Sequence, residues 1–455
     1  MSACAGSVGG VRGPVRRPLL QPGPAARVSR VPVGLLAPRE RNKTITCLAG
    51  AEPVAGAGMP GVQRLQFFLS ESPWEAEQVN DRRLELLREG GVIVVDDSGD
   101  RKDGTATAHV GRQWLGRLGK TDNGIVTVTT VWTDGRVYYP LHATPYTPAH
   151  HFARGRSDPA FRTKPQLAAA LAARGKEAGF GCRAVVADCA YSVSDDWYLA
   201  LRAAGLAYVV ALKPHRGTWA PADQPHTPIE AAHALTWRDA KRPGDWTPVV
   251  RHFRDGHTET WWAADARLGG YGPDSPCRLV VATTDPAGLP EKATWYLATN
   301  LPHPDAPHAA TGPHPPADLA EIVRLYGLRP WIEQSYKQIK DELGWADFQV
   351  RSDRAIRRHQ MLVNCAFSFC WDQWFTPPGP LDATAPDPCP DEGPERGPSR
   401  TPPAPTALLA QGLTRHPFLA HPRHHPQPMV ARLDGQGPTL RAPGPDRRGH
   451  QRTRH

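Results

Sequence analysis

The stretch Gly91-Val-Ile-Val-Val-Asp96-Asp97-Ser-Gly99 decides the fold class of this chain. A run of small, mostly β-branched residues is typical of a strand that is buried on both faces. Arg183-Ala-Val-Val-Ala-Asp188-Cys-Ala-Tyr191 repeats the pattern. Each run ends in a carboxylate, and the strand ends of an α/β sheet are where such folds place their chemistry. The alternative is that each Asp only favours the turn that follows a buried strand, without a functional role.

The segments around these two runs alternate between strand and helix patterns. Residues 125–132 and 137–141 read as strands, and Thr133-Asp-Gly-Arg136 between them predicts a hairpin. The next predicted elements are a helix over 164–179, a strand over 183–188, a helix over 194–205 and a strand over 208–213. This order predicts an α/β fold of the ribonuclease H-like plan, a mixed sheet with helices on its faces.

A third acid lies in Tyr326-Gly-Leu-Arg329-Pro-Trp-Ile-Glu333-Gln-Ser-Tyr-Lys-Gln-Ile-Lys340. At about 3.6 residues per turn, this spacing would bring the acid, two cations and a phenol to one side of a helix. A helix that begins at Pro330 would leave Tyr326 and Arg329 in the preceding turn. A solvated helix with ion pairs between successive turns is the alternative interpretation.

These motifs together resemble bacterial insertion-sequence transposases of the DDE superfamily. One subgroup is marked by Tyr, Arg, Glu and Lys at the spacing of Tyr326, Arg329, Glu333 and Lys340, which match without a gap. The likeness includes both Asp motifs and runs from about residue 58 to about residue 375. Ser192 stands where the family usually has Gly, and it would be strained if that turn needed a positive φ.

The resemblance implies metal-dependent cleavage and joining of DNA. The implied catalytic and metal-binding residues are Asp188, Glu333 and one acid of the pair Asp96 and Asp97. Asp97 is preferred because the family often has an acid followed by Asp and a small hydroxyl residue, although the strand register could equally favour Asp96. Carboxylates suit two Mg²⁺ ions, with Mn²⁺ as a substitute.

The resemblance also implies contacts to DNA phosphates from a set of polar side chains. These are Tyr326, Arg329, Lys340, Arg351 and Arg358. A salt bridge to Asp341 or Glu342 is the alternative for Lys340, and simple solvation is the alternative for the arginines.

Charge and cysteine content agree with a DNA-binding protein of a reducing compartment. The formal net charge is +9, which favours a polyanionic partner. The resemblance specifies double-stranded DNA, both element ends and target, bound by a homodimer. The 8 cysteines form no Cys-x-x-Cys pair, and no apolar run is long enough to span a membrane. We therefore predict a cytoplasmic, nucleoid-associated protein.

Composition and pattern divide the chain into six predicted segments. They are a disordered, low-complexity arm (1–57), a partial helical DNA-binding region (58–90), the first part of the ribonuclease H-like core (91–213), a β-rich insertion (214–318), the Glu333 helix with the end of the core (319–375), and a disordered Pro/Arg-rich tail (376–455).

The leading functional prediction is a DDE transposase. Two alternatives stay open: a catalytically inactive DNA-binding remnant, and a stand-alone ribonuclease H-like nuclease. The presence of all three acidic positions argues against the inactive remnant.

Overall fold

The computed structural model describes residues 35–36, 43–44, 60–84, 91–218, 220–253, 256–269, 278–307 and 309–375. The predicted disorder of 1–57 and 376–455 therefore falls almost wholly outside the described residues. The helices are α1 (Pro60–Ser70), α2 (Ala76–Arg83), α3 (Lys164–Glu177), α4 (Asp195–Ala203), α5 (Pro228–His233), α6 (Leu319–Tyr326), α7 (Pro330–Asp341) and α8 (Asp353–Phe375).

The strands of the described residues form one ten-stranded sheet. They are β1 (Gly91–Arg101), β2 (Gly111–Leu115), β3 (Lys120–Thr133), β4 (Tyr138–Pro145), β5 (Cys182–Ala187), β6 (Tyr208–Ala211), β7 (Thr247–His252), β8 (Thr258–Ala266), β9 (Arg278–Thr283) and β10 (Thr294–Thr299). Their order is β2-β3-β1-β5-β6-β10-β9-β8-β7, and β4 pairs with β3.

The centre of the sheet confirms the predicted mixed α/β architecture. β1 is antiparallel to β3 and parallel to β5, and β5 is parallel to β6. The chain order β1, β3, β4, α3, β5, α4, β6 is the predicted one, with β2 added, and it is consistent with a ribonuclease H-like fold.

Both faces of β1 are buried, because its successive side chains enter two different cores. Val92 and Val94 belong to the core that contains Ile332 of α7 and Ile356 of α8. Ile93 and Val95 belong to the core that contains residues of α3 and α4. Helices therefore cover the sheet on both sides, which explains the continuous apolar run that identified this strand.

The β-rich segment after residue 213 continues the same sheet. β10 pairs with β6 in antiparallel fashion, and β9, β8 and β7 follow in turn. Val323 of α6 packs on this part of the sheet with Val249, Trp261 and Ala263. The segment thus brings its aromatic side chains to the helix that leads into α7.

One local prediction was wrong. Asp96 and Asp97 lie inside β1 and not at its exit, because β1 stays paired with β3 as far as Arg101 opposite Gly124. Residues 99–124 consequently contain the end of β1, all of β2 and the start of β3.

None of the helices in the described ranges combines the length and the apolar character that crossing a bilayer requires.

Candidate active site

Three acids from three different elements meet at one arginine. The guanidinium of Arg329 lies 2.6 Å from Glu333, 3.4 Å from Asp96 and 3.8 Å from Asp188, measured between nitrogen and carboxylate oxygen. Asp96 comes from the middle of β1, Asp188 follows β5 directly, and Glu333 is in the first turn of α7. The sheet and the helix thus bring together acids that are far apart in sequence.

Local backbone contacts orient the two aspartates. The amide of Asp97 donates to Oδ1 of Asp96 at 2.8 Å, and the amide of Ala190 donates to Oδ1 of Asp188 at 2.9 Å. In each case the other carboxylate oxygen, Oδ2, is the one nearest Arg329. Arg329 immediately precedes α7, which begins at Pro330. Its side chain contacts Glu333, which lies four residues further along the chain and therefore about one helical turn away.

The cluster holds more negative charge than Arg329 neutralises. Burial raises the pKa of Asp96 from 3.8 to about 7; Arg329 opposes this, and the neighbouring charges of Asp188 and Asp97 add to it. Burial alone would lower the pKa of Arg329, but the surrounding acids outweigh it and raise that pKa. Positive charge in addition to Arg329 would therefore be stabilised here.

Asp97 points toward a different cation. Its side chain lies on the opposite face of β1 from that of Asp96, and its carboxylate is 3.1 Å from the ammonium of Lys164. Lys164 is the first residue of α3, which Thr163 and Gln166 cap reciprocally. These contacts favour Asp96 as the neighbour of Asp188 and Glu333, contrary to the sequence-based preference for Asp97.

Sequence reasoning missed Lys164 and two buried tyrosines beside the acids. The Tyr336 hydroxyl is 2.5 Å from Thr129 Oγ1, and the Tyr191 hydroxyl is buried without a hydrogen-bond partner in the described chain. Burial raises the pKa of both phenols, and the nearby aspartates add to the effect. Lys164 could have been suspected from its place after a capping Thr, whereas the tyrosines carry no distinctive local signal.

Two of the predicted phosphate-binding residues are buried. The Lys340 ammonium contacts the Asp100 carboxylate at 2.5 Å and the Gly99 carbonyl at 3.2 Å. Arg358 is 1% exposed, stacks on Trp74 and donates to backbone carbonyls between α1 and α2. Both placements argue against the predicted phosphate contacts, because these donors are already occupied inside the protein.

The other predicted phosphate contacts remain accessible to different degrees. Tyr326 is half-buried, its ring lies 4.9 Å from that of Trp295, and burial raises its pKa to about 12. Arg351 is exposed and lines an open cavity of about 390 Å³ together with Arg101 and Lys102.

The Ser192 substitution causes no backbone strain. Within the described residues, the non-glycine residues with positive φ are His109 and Leu289. The Ser192 hydroxyl donates to the Cys189 carbonyl at 3.0 Å. The turn after Asp188 therefore tolerates Ser where the family usually has Gly.

The acids match a divalent metal ion in chemistry but are not arranged around one. No group of three His, Cys, Asp or Glu side chains in the described part of the chain could hold a metal ion as it stands. The guanidinium of Arg329 lies among the three carboxylates instead. Oxygen donors suit hard cations, and a nearby positive charge would offset the burial and the neighbouring acids that raise the pKa of Asp96. The donor set therefore fits such an ion, provided that Arg329 moves aside.

Sequence comparisons with known proteins identify the family of this chain. The sequence profile of the DDE superfamily endonucleases matches residues 27–267, which include Asp96, Asp97 and Asp188. The chain is also 31% identical over 299 residues to the "Probable transposase for insertion sequence element IS701" of Microchaete diplosiphon, an alignment that covers 64% of this chain and 70% of that protein. The chain belongs to the DDE superfamily of endonucleases.

Proposed function

We propose that this protein is the transposase of an insertion sequence, which cleaves DNA at the element ends and joins them to target DNA. Asp96, Asp188 and Glu333 are the proposed catalytic acids. The observation that carries the assignment is their convergence on Arg329 from β1, the end of β5 and α7. The match to an insertion-sequence transposase over 70% of that protein's length supports the reaction class.

Enzymes of this family depend on divalent metal ions, and we propose Mg²⁺, with Mn²⁺ as a substitute, held by the same three acids. When bound, two such ions would activate the attacking oxygen and stabilise the leaving oxygen of the phosphodiester. Asp97 is the alternative ligand from β1, in which case its contact with Lys164 would have to open.

Arg329 has a proposed role in each state of the site. In the metal-free protein its guanidinium neutralises part of the charge of Asp96, Asp188 and Glu333. If the acids held metal ions instead, its planar fork of N–H donors would be available to two oxygens of a DNA phosphate. The Tyr-Arg-Glu-Lys subgroup assignment remains a prediction, and within it Lys340 has a structural role that its buried ion pair supports.

The proposed partner is double-stranded DNA, both the element ends and the target. We further propose that a homodimer binds two ends, since joining both ends of one element requires their simultaneous capture. The mass of the protein–DNA complex in solution tests this stoichiometry. The inactive-remnant and stand-alone-nuclease alternatives are not favoured, because the acids are present together and the curated relative is a transposase.

The direct test is cleavage of supercoiled plasmid that carries the DNA flanking this gene, with Mg²⁺, Mn²⁺ or EDTA. The wild type is expected to nick or cut at the element ends only with metal. Glu333→Gln and Asp188→Asn should each abolish cleavage while retaining DNA binding. Asp96→Asn and Asp97→Asn, assayed side by side, identify which of the two is required.

Asp341→Asn provides the matched control, because Asp341 is a surface carboxylate at the end of the same helix α7. This variant should cleave like the wild type. Cleavage that persists in Glu333→Gln would overturn the site assignment. Binding of DNA by the wild type without metal-dependent cleavage would overturn the transposase proposal and support the inactive-remnant alternative.

A further inference from the structure

Arg251, on the outermost strand β7, is enclosed by aromatic rings. Its guanidinium carbon lies 4.4 Å from the ring centres of Trp261 and Trp295 and 4.6 Å from that of Phe253. Val249, two residues earlier, is buried on the same face, while Val250 between them is exposed on the other. Strand alternation therefore directs Arg251 toward α6, and the rings hold its plane in place.

No acid in the described parts of the chain forms an ion pair with Arg251, although the more distant charge of Glu259 raises its pKa. Glu259 lies opposite it in the β7–β8 pairing, but its carboxylate accepts from Trp261 Nε1 at 3.0 Å and lies 3.5 Å from His257 Nε2. Neither an ion pair nor a hydrogen bond links Arg251 to the described residues. Stacking uses the faces of a guanidinium and leaves its in-plane N–H donors free. Burial, the larger influence, lowers the pKa of Arg251, so an anion brought to this site would be stabilised.

Arg251 also lies next to the segment that carries Arg329 and Glu333. Its Nη2 atom is 3.5 Å from the position that a Cβ atom would take at Gly327, and Gly327 is two residues before Arg329. The ring of Trp295, which touches Arg251, is in contact with Tyr326. Successive phosphates of a DNA strand rise by about 3.4 Å, so Arg251 lies within a few nucleotides of a phosphate bound at Arg329.

We propose that Arg251, held by Phe253, Trp261 and Trp295, binds a backbone phosphate of the DNA strand that enters the acid cluster. The aromatic rings fix the guanidinium, and its edge provides the charge and the two parallel donors that phosphate oxygens accept. This inference rests on the proposed DNA-cleaving function and adds to it a contact from the β-rich segment, for which sequence reasoning assigned no residue.

The test is the salt dependence of DNA binding by the full chain. Fluorescence anisotropy with a short labelled duplex, in EDTA, measures Kd between about 50 and 200 mM KCl. Because a backbone phosphate carries no sequence information, any duplex serves. Arg251→Gln should reduce the slope of log affinity against log salt by about 0.9, the effect of one phosphate contact, and weaken binding about tenfold. A slope and a Kd equal to those of the wild type would overturn the inference.

Two further variants separate binding from folding. Arg242→Gln removes an exposed arginine of the same segment, whose partner is Asp239, and should leave the slope and Kd unchanged. Arg251→Lys retains the charge but not the planar fork, so it should keep the wild-type slope and bind roughly three- to tenfold more weakly. If Arg251→Gln does not fold, an Arg251→Lys protein with wild-type affinity would refute the two-donor contact that is proposed. Failure of the wild type to bind any duplex would instead refute the proposed function.

Discussion

Replacing Asp96 by Asn should stabilise the metal-free protein at alkaline pH and leave it nearly unchanged in acid. In the folded chain Asp96 is largely buried, with 16% of its side chain exposed, and its pKa is raised from 3.8 to about 7, chiefly by burial. Asn has the same shape and no charge to bury. The variant therefore removes the electrostatic cost of this carboxylate.

The size and sign of the effect follow from proton linkage. Between pH 4 and pH 7 the folded carboxyl keeps a proton that the unfolded chain has released, so the stability of the wild type falls as pH rises through this window. The pKa of Asp96 shifts from 3.8 to about 7, and each pKa unit is worth about 1.4 kcal/mol, so ionised Asp96 lowers the free energy of unfolding by about 4 kcal/mol. Asp96→Asn should thus match the wild type near pH 4 and exceed it by up to about 4 kcal/mol at pH 8.

Urea unfolding followed by tryptophan fluorescence, in EDTA at several pH values, measures this difference. Asp341→Asn serves as the control, since this surface carboxylate should show a difference from the wild type that is small at every pH. The informative quantity is the free energy of unfolding of Asp96→Asn minus that of the wild type. If that quantity does not change between pH 4 and pH 8, Asp96 is an ordinary ionised carboxylate and its burial does not raise its pKa.

Two other predictions concern ion pairs outside the cluster. Lys340→Met should lower the free energy of unfolding at pH 7 by about 3–5 kcal/mol, because it strands the buried carboxylate of Asp100. The double variant with Asp100→Asn should recover at least half of this loss, and a single-variant loss below about 1 kcal/mol would show that the pair is not buried in solution. Asp353→Asn should lower the free energy of unfolding at pH 7 by less than about 1 kcal/mol, since half of the Asp353 side chain is exposed. Burial alone would raise the pKa of Asp353, but the hydrogen bond from His109 and the charge of Arg357 lower it to about 2. The stability that ionised Asp353 contributes is present above about pH 4 and is lost as pH falls toward 2. If urea unfolding shows that Asp353→Asn lowers the free energy of unfolding equally at pH 3 and pH 7, the lowered pKa of Asp353 is contradicted.

The sequence revealed the centre of the fold because its signals there are local. The runs over 91–95 and 184–187 are apolar throughout, as is typical of strands buried on both faces. The length of β1 was not predictable in the same way, since Asp96 to Arg101 stay extended only because β3 pairs with them across the sheet. Nor could local pattern show that β7 to β10 join the same sheet, because that depends on the distant pairing of β10 with β6.

The candidate site shows the same division between local and long-range information. Motif and order pointed to Asp188, Glu333 and one acid of the pair Asp96 and Asp97, with a preference for Asp97. The structure instead brings Asp96, together with Asp188 and Glu333, to one arginine. The role of Lys340 could not be read from its neighbours, since Asp100, its partner, is 240 residues away. Sequence spacing places a side chain on a helix face, but only the packed fold determines whether that face meets solvent or another charge.

Arg329 links the chemistry of this site to its folding. The sheet and α7 bring three carboxylates together. Burial is the main cause of the raised pKa of Asp96; Arg329 opposes it, and the charges of Asp188 and Asp97 add to it. Because Arg329 lies one helical turn before Glu333, the same packing that delivers the third acid also delivers a cation. The cluster can therefore fold before any metal ion arrives. Under the proposed function, a divalent ion held by the three acids would supply more positive charge than the guanidinium, which would then be free to bind a DNA phosphate beside them.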